Sequence, residues 1–310
     1  MQSIVRENNV EKVILLASGD LLNQTLNLCN KTIPAGYLKL FYAQCKTKKF
    51  KPYILMNDSK ITACVFVEIK SLKYNDQYIV VPFFYWPLSF NKDNSYLDEL
   101  MNYLINQLLH THLFVGISSL FKSSAKRYHF KNIISLRQYC FSRHDIEARV
   151  LLNINKFPDF EQVKQLYDYY SRFYNGISKR NLESFTLKQQ RMKMLGGDLV
   201  ANQKNEVINA YAYYCYVDNK LLINEIVYRD INSALDLIWY LLSFEQHVYA
   251  FSSEFENFLH VTKGKMDTMD SAYFYCRDYE VFNRIFKINV NNLKTAWTAF
   301  NRPLIFIDNI

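Results

Sequence analysis

Few places in this chain have residues that could do chemistry. One is the polar loop Asn91-Lys92-Asp93-Asn94, between a strand-like run from Tyr78 to Trp86 and a segment carrying Leu97, Leu100, Met101, Leu104 and Leu108. Spacings of three and four predict a helix over that segment. The leading amides of a helix lack intrahelical partners, so a strand–loop–helix junction binds anions when the loop leaves those amides open. Lys92 adds a cation there. Against this, Asn94 or Ser95 would cap the helix with its own side chain, and Asp98 and Glu99 in the first turn already complement the helix dipole. An anion site and a self-capped structural helix both fit these residues.

Other reactive side chains suggest less. Glu68 and Glu225 lie in strand-like runs, where a solvated strand face accounts for each. His110 and His112 are close together, but no further ligands stand at zinc-binding spacing, so no metal is expected. The six cysteines, Cys29, Cys45, Cys64, Cys140, Cys215 and Cys276, are scattered without a CxxC pair, which favours free, buried thiols in a reducing compartment. The densest basic run, Lys46-Thr47-Lys48-Lys49-Phe50-Lys51, reads as a solvated connection.

Composition narrows the class. The chain has 310 residues, half of them hydrophobic and 16 % aromatic, with only 7 Gly and 6 Pro, which excludes collagen-like, linker-like and disordered chains. That length makes two domains the natural expectation. No window approaches the ~18 uncharged apolar residues of a membrane span, and the first residues lack an apolar signal core. A soluble, cytoplasmic protein is expected, with no membrane partner. The net charge of +8 favours acidic partners or a phosphate-bearing cofactor. No RNA-binding motif or zinc finger appears, so nucleic acid ranks well below the other partners.

The elements that must position these residues follow a repeating order. Asp20 is placed as the cap of a first helix, and a second helix follows Pro34. Three strands then follow, over Tyr53–Met56, Ile61–Leu72 and Tyr78–Trp86, with turns at Asn57-Asp58-Ser59 and Asn75-Asp76. Pro82 is expected to splay or bulge the third strand. After the helix come a buried strand at His112–Ile117, a helical stretch near Ser118–Arg127, and strands near Ile133–Phe141 and Ala148–Ile154. A turn-like break at Asn155-Lys156-Phe157-Pro158-Asp159 marks a boundary. Beyond it the order recurs: two helices, strands at Asp198–Asn202, Val207–Val217 and Leu221–Tyr228, then a helix capped by Asp230 or Asn232. This is an internal repeat diverged beyond plain identity. The chain ends in the apolar run Pro303-Leu304-Ile305-Phe306-Ile307-Asp308-Asn309-Ile310.

That layout resembles the GNAT acyl-CoA N-acetyltransferase domain, present in tandem as in the enhanced-intracellular-survival-type branch of that superfamily. The resemblance spans nearly the whole chain. It is carried best by Phe173-Tyr174-Asn175-Gly176, Gly196-Gly197-Asp198-Leu199-Val200-Ala201 and Leu222-Ile223-Asn224-Glu225-Ile226-Val227-Tyr228. In the first half it rests on Leu113-Phe114-Val115 leading to Lys126-Arg127-Tyr128-His129-Phe130. It implies an α+β fold of two tandem domains, 1–154 and 155–310, each a mostly antiparallel twisted sheet flanked by helices. The terminal strand, about 303–310, suits either a return to the first domain or a plain place in a sheet.

The resemblance also implies a function, transfer of an acetyl or other acyl group from acyl-CoA to a small-molecule or peptide amine. The cofactor's diphosphate would lie at Pro87 to Ser95, with Lys92, Asn94 and Ser95 against it, and Phe84, Tyr85 and Trp86 would line the slot for the pantetheine arm. The family's loop there is basic and glycine-containing, whereas this one has neither glycine nor arginine. The family's usual acid, a tyrosine on the following helix, falls at Ala125, leaving Tyr128 as a substitute that also fits core packing. In this branch the base is the chain's terminal carboxylate, here that of Ile310. A catalytically degenerate tandem fold, kept as a binding or regulatory module, is the alternative. The acceptor and the oligomeric state are not legible in the sequence.

Overall fold

The computed structural model describes residues 3–7, 10–45, 49–92, 94–253, 258 and 262–298. The terminal run 303–310 with Ile310, and Lys46, Thr47 and Lys48 of the basic run, lie outside the described residues.

In chain order the elements are β1 (Ser3–Glu7), β2 (Val10–Leu16), α1 (Gly19–Thr32), α2 (Ala35–Cys45), β3 (Phe50–Asn57), β4 (Lys60–Tyr74), β5 (Gln77–Ser89), α3 (Ser95–Leu109), β6 (Phe114–Ser118), α4 (Lys122–Arg127) and β7 (Lys131–Phe141). There follow β8 (Ile154–Asn155), α5 (Phe160–Ser171), α6 (Leu182–Met194), β9 (Asp198–Lys204), β10 (Val207–Val217), β11 (Lys220–Tyr228), α7 (Ile231–Leu241), β12 (Val248–Ser253), β13 (Lys265–Cys276), α8 (Tyr279–Phe286) and α9 (Leu293–Thr298).

Several boundaries have local causes. The hairpin turns at Asp58-Ser59, Asn205-Glu206 and Asp218-Asn219 place both central residues at positive φ, the mirror-image turn geometry that matches strand twist. At the end of α6, Gly196 sits at φ +79° and Gly197 donates its amide to the Met192 carbonyl, closing the helix. A Cβ on Gly197 would stand 1.8 Å from the Tyr214 carbonyl oxygen, so only glycine lets the chain turn there into β9.

The structure corrects some expectations. Ser18, not Asp20, holds the N-cap position of α1, and Asp20 lies in its first turn. The strand expected over Ala148–Ile154 is reduced to Ile154–Asn155, because most of that stretch forms no ladder. β5 runs through Pro82 without a break, and its left-handed residue is Trp86, at φ +49°.

The described chain divides into two compact units, each assembled from separate stretches. The first takes 1–71, 79–133 and 272–296; the second takes 72–78, 134–271 and the chain from 297 on. The boundary expected at 154–155 falls inside the second unit's long stretch. The first unit's sheet runs β1-β2-β3-β4-β5-β6, followed by Ala272–Cys276 of β13, which pair with β6. The second runs β7-β12-β11-β10-β9-β8. A last strand is therefore exchanged: β7 follows α4 yet pairs with β12 from Leu136 to Phe141, and β13 supplies the partner of β6. Each sheet is mostly antiparallel, with one parallel contact, β5 with β6 or β11 with β12. The chain is thus α+β, with mostly antiparallel sheets.

Each unit packs its own core. In the first, Leu97, Leu100, Met101, Leu104 and Ile105 of α3 meet Leu55, Val65 and Phe84 of the sheet. In the second, Leu235, Ile238 and Leu241 of α7 meet Val200, Ala212 and Ile223. The tip of the β4–β5 hairpin, 72–78, packs within the second unit. Lys73 exchanges backbone hydrogen bonds with Ile177 and Gly176 at 2.8 and 2.7 Å, and Asn175 accepts from the Asn75 amide at 2.7 Å. Those tertiary bonds accompany the burial of Asn175-Gly176.

Candidate active site

In the first unit, β5 and β6 pair in parallel at Phe83↔Gly116 and Phe84↔Ile117 only, although β5 continues to Ser89. Gly116 has a packing reason, since a Cβ there would lie 2.6 Å from the Phe83 ring. Past Phe84 the ladder ends: β6 runs one residue further, to Ser118, and β5 five further, to Ser89. Trp86, in the left-handed region, turns its ring into the unit, where Nε1 donates to Gln44 Oε1 at 2.7 Å. The same ring meets Phe41 and Phe121 edge-on, with centroids 5.5 and 5.1 Å apart. Tyr85 packs against Phe50 at 4.8 Å, and Phe84 is fully buried. All three expected cleft residues are therefore buried aromatics at and just past the end of that ladder.

β5 then leads to α3. Lys92, Asn94 and Ser95 are exposed, and Ser95 is the first helical residue. Asn94 occupies the N-cap position, but its side chain makes no cap hydrogen bond, so the expected self-capping by Asn94 does not occur. Its backbone angles, φ −83° and ψ 1°, depart from the extended geometry from which cap side chains reach back.

Asp98 in the first turn of α3 is held by Arg127 through two hydrogen bonds, one from Nε at 2.6 Å and a shorter one from Nη2. The Tyr128 hydroxyl donates to the same carboxylate at 2.8 Å. These bonds, Arg127's foremost, hold the Asp98 carboxyl below its usual range. Burial, then the hydrogen bond to Asp98, raises the Tyr128 phenol. The structure thus joins Tyr128 to Arg127 and Asp98 as a strut between α4 and α3. Ala125, at the family's usual acid position, is fully buried.

The second unit repeats this framework with different details. β11 and β12 pair in parallel at Leu221↔Val248, Leu222↔Tyr249 and Ile223↔Ala250, then stop, while β11 runs on to Tyr228. The helix that follows is closed by a carboxylate: Asp230 accepts from the Ser233 amide at 2.9 Å and from its hydroxyl at 2.7 Å. Asp230 is one of the two residues expected to cap α7.

Glu225, on β11, is not solvated as the sequence suggested. It is 1 % exposed and takes Arg180 Nη1 and Nη2 at 2.7 and 2.6 Å, Lys188 Nζ at 2.6 Å and the Tyr211 hydroxyl at 2.7 Å. The Arg180 guanidinium also lies over the Tyr167 ring at 4.4 Å. Burial, with the Glu225 charge second, pushes the Tyr211 phenol well up, so it stays a proton donor. Glu68 is also buried, with Lys70 Nζ at 3.7 Å. Sequence reasoning missed both because each carboxylate sits in an apolar strand, where its cations decide whether burial is tolerable.

His110 and His112 line a cavity of about 570 Å³ together with Arg277 and Asp278. Among the described residues no group of three or more His, Cys, Asp or Glu could hold a metal ion. Nor is any helix among them long and apolar enough to cross a membrane. All six cysteines are free, with Cys29 and Cys64 sulfurs 3.6 Å apart.

No family model matches the sequence, and no curated protein sequence does. Solved structures do match the fold. A GCN5-related N-acetyltransferase from Anabaena variabilis is similar at TM-score 0.69 and 10 % identity, covering 86 % of this chain and 73 % of its own. Eis1 from Mycobacterium abscessus is similar at 0.59 and 11 % identity, covering 87 % and 74 %. An N-myristoyltransferase from Saccharomyces cerevisiae, with bound myristoyl-CoA, is similar at 0.55 and 10 % identity, covering 85 % and 78 %. The chain therefore has the fold of the GNAT acyltransferases, in the tandem form to which the sequence pattern points.

Proposed function

We propose that the first unit is an acyl-CoA-dependent N-acyltransferase, moving an acetyl or other acyl group from the CoA thioester to the nitrogen of a small-molecule or peptide amine. The observation that carries this reading is that β5 outruns its parallel partner β6 after Phe84 and leads to a helix start at which Asn94 makes no side-chain cap. The residues present fit the cofactor. Lys92 offers exposed positive charge, Asn94 and Ser95 stand at the helix entrance, and Phe84, Tyr85 and Trp86 give an apolar wall for an uncharged arm.

When bound, the cofactor supplies the activated acyl carbon. The amine nitrogen forms the new C–N bond, the C–S bond breaks, the amine gives up a proton and the departing thiolate takes one. In this reading Tyr128, which burial keeps protonated, is the acid.

A second reading, a tandem fold kept as a binding or regulatory module, is favoured by one observation. The Tyr128 hydroxyl is already committed to Asp98.

Calorimetric titration of the full chain with CoA and acetyl-CoA tests both readings. Micromolar binding that falls about tenfold in Lys92→Glu, with thiol release when polyamine or peptide amines are added, is expected for the enzyme. Binding without thiol release sinks the enzyme and leaves the module. No heat at millimolar CoA removes the cofactor site itself.

A further inference from the structure

Each unit contains a cavity at the same place in its framework, where the helix after the meander ends and the next strand begins. In the first, of about 570 Å³, the polar lining includes His110, His112, Arg277 and Asp278. In the second, of about 560 Å³, it includes Arg143, His144, Glu245 and His247. Topology explains the recurrence. β6 starts opposite the end of β13, at Phe114↔Cys276, which brings His112 and Arg277 together. β12 starts opposite the end of β7, at Val248↔Phe141, and does the same for His247 and Arg143. Topology makes the hollow but does not choose its side chains. Four of the chain's six histidines stand there, with one arginine in each cavity.

The carboxylate of each cavity is engaged elsewhere. Asp278 caps α8, accepting from the Glu280 and Val281 amides at 2.8 and 3.1 Å. Glu245 bonds to Tyr216, whose phenol is raised by burial and then by that charge. The arginines differ. Arg143 Nε donates to the Leu242 carbonyl at 3.2 Å, and its guanidinium lies over the Trp239 ring. Arg277 is exposed and has no hydrogen bond or ion pair among the described residues. The end of α3 does not need it, because the Leu108 carbonyl already accepts from the Thr111 and His112 amides at 3.2 and 2.9 Å. Beside Arg277 the wall is aliphatic, with Leu113, and with Val281 and Ile285 one turn apart on α8. α8 is anchored through Phe282, fully buried against Phe114, so Ile285, 55 % exposed, is not what fixes the helix.

We propose that the first-unit cavity binds a small aliphatic carboxylate, with Arg277 on the carboxylate and Leu113, Val281 and Ile285 along the hydrocarbon chain. A guanidinium takes a carboxylate through two parallel N–H···O bonds, and the His110 ring can add a third donor. A phosphate dianion suits the place less, because α3 ends here and a helix C-terminus carries partial negative charge. The volume falls within the range of about 300–1,000 Å³ in which small-molecule sites lie. The whole of α3, about 22 Å, separates the cavity from the cofactor entrance at Ser95, so this site does not depend on that one.

The probe is hexanoate, titrated into the full chain without CoA and followed by NMR of the histidine ring C–H signals, with hexanol and inorganic phosphate as comparisons. Millimolar binding is expected, moving the signals of His110 and His112 and leaving that of His129, which does not line the cavity. Arg277→Gln should weaken binding about tenfold or more, and Ile285→Ser about threefold. Equal binding of hexanol overturns the proposal, as does equal binding by a folded Arg277→Gln. Phosphate binding as tightly as hexanoate also overturns it, leaving an anion site without a hydrocarbon wall. So do unmoved His110 and His112 signals in the wild type, a result that does not depend on any variant folding. The second-unit cavity is the internal comparison: its arginine is spent on the helix end, so His144 and His247 should respond only at about tenfold higher hexanoate. An equal response there overturns the role given to Arg277.

Discussion

The helix after the meander begins differently in the two units. α3 starts at Asn94, whose side chain makes no cap hydrogen bond, and Asp98 in its first turn is held by Arg127 and Tyr128. α7 starts at Asp230, whose carboxylate takes the Ser233 amide and hydroxyl. One framework thus yields an entrance that its cap residue leaves alone and an entrance closed by a fixed negative charge. The sheets differ in a complementary way. Past its ladder with β6, β5 turns the Trp86 ring onto Gln44, while past its ladder with β12, β11 carries Asn224, whose side chain has no hydrogen-bond partner among the described residues, beside Glu225 with both oxygens occupied.

The largest test of this contrast is at the buried charges. Glu225→Leu leaves Arg180 and Lys188 buried beside an apolar side chain, and should cost about 3–5 kcal/mol in urea unfolding. In the first unit, Glu68→Leu on the middle meander strand removes a longer ion pair, to Lys70, and should cost less than about 2 kcal/mol. Equal losses would erase the distinction between the two sheets.

The caps come next. Asp230→Ala should cost about 1 kcal/mol, whereas Asn94→Ala should stay within about 0.5 kcal/mol, both read from thermal melts. A large loss at Asn94 would mean that α3 is capped as firmly as α7.

Tyr128→Phe should remove about 0.5–1.5 kcal/mol with its bond to Asp98. Acyl-transfer rates sharpen this test: a fall of about 100-fold or more assigns the proton to Tyr128, and an unchanged rate leaves it a strut.

The smallest effect is on acid stability. Asp98's carboxyl is held below its usual value, so its contribution is present above the unfolded value, about 4, and is lost as pH falls through the folded one. In Asp98→Asn the acid limb of the stability curve should flatten below about pH 4, while Asp230→Asn serves as the second-unit comparison. An unchanged acid limb in Asp98→Asn would show that the Arg127 pair does not persist in solution.

Much of the framework was legible because its causes are local. The turns at Asn57-Asp58-Ser59 and Asn75-Asp76, and the apolar residues at three and four spacing in α3, all depend on near neighbours in the chain. The candidate site was legible only as a set of positions. The order of elements pointed to Phe84–Trp86 and Lys92–Ser95, but not to Trp86 folding inward onto Gln44, 42 residues away. The solvated reading of Glu68 and Glu225 failed because strand alternation says which face a residue takes, not what covers that face.

The sequence by itself determined a doubled unit of helices, meander and helix, and with it the acyltransferase-type fold. Period and turn chemistry act over a few residues and need no distant partner. Only tertiary structure decided that β7 and β13 are exchanged and that Glu225 meets cations 45 and 37 residues away. It alone also decided that Asn224 is buried, with no hydrogen-bond partner for its side chain among the described residues. Whether a strand edge is paired, or a charge neutralised, depends on which distant segment arrives beside it, and spacing along the chain does not encode that arrival.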